Sequence, residues 1–129
     1  MRGNRGVTLF ETIAAITLVA ITAVSALAAV GAELRTAEKA RHVLEAEALA
    51  TVRLDQLALL TERELLALPD TVAEGRFDAP LEEYRWESTS ATSSDQAGVF
   101  QVKTTIHWPT GSYAIESALY RRPALTNVR

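Results

Sequence analysis

Among the 129 residues, the side chain whose type and position first demand a chemical explanation is Glu11. It stands at the edge of an apolar run, because from Ile13 to Ala32 there is no Asp, Glu, Lys, Arg, His or Pro. A helix of about twenty such residues crosses a hydrocarbon core of roughly 30 Å. A carboxylate at that depth costs a few kcal/mol even on lenient scales, so acids there normally have a partner and a task. The Gly6–Val7 bond offers one. Cutting it gives Val7 a free α-amino group and makes Glu11 the fifth residue of the shortened chain. The ammonium of one subunit can then neutralise the carboxylate of the next.

Arg5-Gly6, the apolar Val7, Thr8-Leu9, Glu11 and the long apolar run together resemble the class III signal of type IV pilins and type II secretion pseudopilins. The family usually places Phe where this chain has Val7. The resemblance covers residues 5–32 most specifically, because a cut site, a charge at a fixed offset and a run of fixed length coincide. It implies that a prepilin peptidase cleaves between Gly6 and Val7, that the new amine of Val7 is N-methylated, and that Glu11 pairs with the amine of an adjacent subunit. The same segment also has a conventional reading. Arg2 and Arg5 form a basic start and Ala26-Leu27-Ala28 fits an A-x-A cleavage site, which would release a soluble periplasmic binding module. Against it, an ordinary signal core is about 7–15 residues and has no use for a carboxylate. A plain uncleaved membrane anchor is the third reading, in which Glu11 has no role in assembly.

Other residues that could do chemistry point less far. His42 follows Glu38 by four positions, a spacing that places two ligands on one helix face; the pair is expected to be solvated helix surface. His107 has no Cys or second His near it in sequence. Ser88, Ser90, Ser93 and Ser94 accompany no base-bearing motif, and there is no phosphate-cradling glycine loop. With no Cys at all, neither a disulfide nor a thiolate metal site is available. The chain is therefore read as a non-enzyme with no cofactor and no metal site, more a substrate of an enzyme than an enzyme. The formal net charge is −3, and losing Arg2 and Arg5 with the leader takes it to −5, which gives no electrostatic reason to expect nucleic-acid binding.

These residues need elements to position them. The apolar run is rich in Ala, Ser and Gly, from Ala14 to Ala32, and in lipid small residues allow helices to approach closely. From Glu33 to Leu60 there is no Gly or Pro to stop the helix, so one continuous helix is expected from about Val7 to about Leu60, on the order of 80 Å long. Its second half reads as amphipathic, with Leu34, Ala37, Leu44, Ala48, Val52 and Leu59 as the apolar stripe, interrupted by Arg41 and Asp55. Thr61 with Glu64 is a capping box that opens a short helix through Leu68, ended by Pro69-Asp70; a single uninterrupted helix is the alternative. Arg76-Phe77 is at most a short extended piece. Strands are expected from Tyr84 to Thr89, Val99 to Trp108 and Tyr113 to Tyr120, with a loop over Ala91–Gly98 and a turn at Pro109–Ser112. On Val99–Trp108, Phe100, Val102, Thr104, Ile106 and Trp108 share one face.

The expected fold is α+β: a long N-terminal helix, half membrane and half amphipathic, packed on a small three-stranded antiparallel sheet. The domain plan is a leader over 1–6, a transmembrane and filament-core helix over 7–32 and a periplasmic domain over 33–129. Lysine and arginine counts flank the span on both sides and do not set its orientation; the resemblance implies a single pass in a bacterial inner membrane, leader in the cytoplasm and the rest in the periplasm. The missing Cys, the Arg53-Leu54-Asp55-Gln56-Leu57 stretch and the Trp108-Pro109 turn look similar to the minor I-type pseudopilin or the minor pilin V. That resemblance implies a tip or initiation complex in a periplasmic pseudopilus of type II secretion. The implied partners are other pilin-like subunits of J and K type, the peptidase, membrane lipid and an inner-membrane assembly platform with its ATPase. A minor type IV pilin of a surface filament is the alternative within the family.

Overall fold

The computed structural model describes Gly6 and residues 8–122. Val7, and with it the N-methylation site and one side of the Gly6–Val7 cut, lies outside the described residues, as do Arg2 and Arg5. The chain divides into two compact units, residues 1–40 and 41–129. Helix α1, Leu9–Ala58, contributes to both.

In the first unit α1 carries a window of mean hydropathy 2.5, and among the described residues it is the helix long and apolar enough to cross a membrane. None of the large apolar side chains in that window is covered, and Leu9, Phe10, Leu18 and Leu27 are all exposed. Its hydroxyls are handled internally. Thr17 donates to the Ile13 carbonyl at 2.8 Å, Ser25 to the Ile21 carbonyl at 2.8 Å, and Thr22 to both Leu18 and Val19. In hydrocarbon a hydroxyl without a partner is costly, and bonding back one turn removes that cost without a second helix.

The second unit is a helix on an antiparallel sheet. Residues 41–58 of α1 are followed by α2, Glu62–Leu66, and α3, Asp70–Ala73. Strands β1 Glu74–Arg76, β2 Arg85–Thr92, β3 Val99–Trp108 and β4 Gly111–Tyr120 then form a meander in the order β1-β2-β3-β4. The sheet has four strands and not the three expected. The extra one, Glu-Gly-Arg, has no apolar alternation to announce it and joins through backbone pairing of Gly75 with Trp86. An added Cβ on Gly75 would sit 2.2 Å from the Trp86 ring, so the strand can pass there only as glycine. Strand β2 also runs on to Thr92, beyond the expected Thr89, because Ser90, Ala91 and Thr92 pair with Val102, Gln101 and Phe100. Gly98, at φ 79°, closes the loop back into β3. The alternation of β3 is as the sequence implies, with Phe100, Val102, Thr104 and Ile106 buried.

The helix face that meets the sheet is not the expected stripe. Leu44, Ala48, Val52 and Leu59 are exposed, while His42, Ala46, Ala50 and Leu57 are buried. The reason is steric. The sheet lays Tyr84, Trp86 and Trp108 against this end of the helix, and bulky rings admit a backbone that offers alanines. Arg53 completes the fit: its guanidinium lies 3.4 Å from the Trp86 ring centroid and 5.1 Å from that of Phe77. A second cluster joins Leu57 and Leu65 to Phe100 and Val102, which docks α2.

The helix ends also have identifiable causes. Thr61 receives the Glu64 N–H at 3.4 Å and returns its own N–H to Glu64 Oε2 at 2.8 Å, so α1 and α2 are separate helices. Helix α2 stops at Leu66, two residues before the expected Leu68, and Pro69, expected only to end that helix, is the N-cap of a further short one, α3. The last turn of α1 has no basic residue of its own. Arg121, just past β4, supplies one by donating from Nε to the Leu60 carbonyl at 3.0 Å and from Nη2 to the Ala58 carbonyl.

Candidate functional site

The described part of the N-terminal site is Gly6 and residues 8–11. Gly6 is exposed and precedes the helix. Thr8 stands at the N-cap position, accepting the Glu11 N–H on Oγ1 at 3.3 Å while its carbonyl takes the Thr12 N–H at 3.1 Å. Glu11 therefore occupies the first turn, where the unpaired N–H groups of the helix favour negative charge. Thr8-Leu9-Phe10-Glu11 thus has the T-x-x-E spacing of a capping box. Its second half is not made: the Glu11 carboxylate has no hydrogen bond or ion pair among the described residues. The spacing was available in the sequence as a capping signal, overshadowed there by the oddity of an acid in an apolar run.

The second polar site belongs to the 41–129 unit and contradicts the expectation that His42 is solvated surface. His42 is buried. Its Nδ1–H donates to the Tyr84 hydroxyl at 2.7 Å, and that hydroxyl donates onward to Glu45 Oε2 at 2.6 Å. The Trp108 ring stacks on the imidazole at 6.0 Å and 15°. Because the single phenolic proton goes to Glu45, the bond between Nδ1 and the hydroxyl has the imidazole Nδ1–H as its donor. Burial, then the bond to Glu45 and the charges of Glu45 and Glu83, push the Tyr84 phenol well above the usual tyrosine range, with Arg41 partly offsetting them. Arg41 itself reaches Glu45 Oε1 only at 4.0 Å, in an exposed pair. Glu38, the residue spaced to share a face with His42, takes no part. The real neighbours, Tyr84 and Glu83, lie on the segment before β2, too distant in the chain for spacing to reveal them.

The remaining candidates separate on the two faces of the sheet. Ser88 Oγ and Thr104 Oγ1 satisfy each other at 3.1 Å on the buried face. His107 lies on the opposite face with Glu87 3.7 Å away, beside the exposed Lys103–Glu116 pair at 3.3 Å. The sheet therefore lies between the serine and the imidazole. No family model, no curated protein and no solved structure matches the chain.

Proposed function

We propose that this chain is a minor pilin-like structural subunit of a type II secretion pseudopilus, processed by prepilin peptidase and assembled through its N-terminal helix in a tip or initiation complex. The observation that carries the reading is Glu11: a carboxylate in the first turn of an apolar helix, capped through its backbone and with no partner for its side chain among the described residues. Placed in lipid alone it is strongly disfavoured, and a neighbouring amine converts that penalty into a registry constraint, because only one axial stagger brings the two together. The uncovered stripe of Leu44, Val52 and Leu59 supports the same reading, since a helix surrounded by other subunits has a use for apolar surface that its own sheet does not take. In this reading Gly6 and Val7 are the peptidase site, Val7 is methylated, and the 41–129 unit supplies periplasmic side or tip contacts.

The test is the identity of the first residue of the protein in the membrane fraction. Intact mass and N-terminal sequencing are expected to find Val7, and Gly6→Arg is expected to leave the leader attached in cells with the peptidase. A first residue near Ala29 would replace the filament subunit with a secreted module, and an intact Met1 end in the unaltered chain would leave only an anchor.

A further inference from the structure

We infer that His42, Glu45 and Glu83 form a binding site for a divalent transition metal of the zinc type, at the junction of α1 and the segment leading into β2. One donor atom from each of the three residues lies within 4.8 Å of the others. Metal–nitrogen and metal–carboxylate distances of about 2.0–2.2 Å in a tetrahedron require donors about 3.4 Å apart, so the set must contract modestly. The burial pattern allows this, since His42 is fixed, Glu45 is half-buried and Glu83 is exposed with a free side chain to swing. Water would supply the fourth position.

Three features favour a metal over a chance grouping. The imidazole is set in one tautomer by the Tyr84 hydroxyl, and a ligating histidine characteristically has its other ring nitrogen held by a hydrogen bond of this kind. The other ring nitrogen, Nε2, makes no hydrogen bond among the described residues and is the donor the site would use. Two carboxylates flank the same spot, and among the described residues their one counter-charge is a long, exposed contact to Arg41. One imidazole with two carboxylates selects zinc over calcium or magnesium, which prefer all-oxygen shells. Bound there, the ion would tie the helix to the Asp78–Tyr84 segment. The site does not depend on the filament reading.

The experiment uses the full chain in detergent micelles, stripped with chelator and titrated with zinc, calcium and magnesium chloride, following tryptophan emission and thermal unfolding. Zinc is expected to raise the unfolding temperature and change the emission of Trp108, which stacks on His42. Glu83→Gln, at an exposed position, is expected to weaken zinc at least tenfold while leaving metal-free unfolding unchanged. His107→Gln, at the other imidazole, is expected to bind as the unaltered chain does. Zinc without effect, calcium matching zinc, undiminished affinity in Glu83→Gln, or lost affinity in His107→Gln would each overturn the site.

Discussion

Two helices in this chain open on the same four-residue device, Thr8-x-x-Glu11 and Thr61-x-x-Glu64, and the side chains end in different states. At Thr61 the box closes: Glu64 receives both the backbone N–H and the hydroxyl of Thr61, at 2.8 and 2.7 Å. At Thr8 only the backbone half forms, at 3.3 Å. The closed box spends its carboxylate on its own helix end and separates α2 from α1. The half-open box leaves a carboxylate available at the edge of an apolar run. The difference teaches that one sequence motif can close on its own helix end, as at Thr61, or leave its carboxylate free of that end, as at Thr8, which is what the proposed pairing of Glu11 requires. In water an unreturned Glu11 would cost little; beside lipid it calls for a partner.

The sharpest way to break this comparison is Glu11→Leu. Membrane insertion is expected to be unchanged or better, while co-purification with partner subunits is expected to fall at least tenfold; undiminished co-purification would remove the docking role. Next in size is a leucine exchange between the two units. Leu57→Ala empties a fully buried position and is expected to cost ~2–5 kcal/mol in thermal or denaturant unfolding. Leu27→Ala, on the uncovered part of α1, is expected to leave the unfolding of the 41–129 unit unchanged.

Thr61→Ala comes third, with ~1 kcal/mol lost from the same unfolding transition, whereas Thr8→Ala should leave that transition alone. The smallest effects are in pH. The Thr61 backbone and side-chain bonds hold Glu64 below the usual carboxylate range. Its contribution is therefore present above that range and lost as pH falls through the lowered value, and Glu64→Gln should flatten the acid limb. Tyr84 has the opposite sign. Its phenol is raised, so its contribution is complete below the ordinary tyrosine value of about 10 and declines as pH rises beyond it. Tyr84→Phe should remove that alkaline component in a pH series of unfolding temperatures.

Much of the plan was legible because it is written in local periodicity. The apolar run, the Thr61 box and the alternation of Val99–Trp108 each depend on neighbours within a turn or a pleat. Strand β1 was not legible, since Glu74-Gly75-Arg76 becomes a strand only when β2 offers a backbone to pair with. The buried face of α1 was misread for a similar reason. Counting large apolar residues selects Leu44 and Val52, whereas the aromatic surface of the sheet selects Ala46 and Ala50. Of the candidate sites, the unusual setting of Glu11 is visible in the letters alone; the His42–Tyr84–Glu45 chain is not, because its members come from opposite ends of a long connection.

By itself, then, the sequence determined what depends on composition and short spacing: a segment apolar enough for a membrane, an acid at its edge, the helix restart at Thr61 and the alternation of β3. Tertiary structure alone decided which side of the helix is covered, that Arg121 caps a helix sixty-odd residues earlier in the chain, and that a histidine spaced like a surface residue lies buried against a tyrosine. The physical reason is that hydrogen bonding along one element is set by the next few residues, whereas burial is set by the shape of whatever surface arrives from elsewhere in the chain.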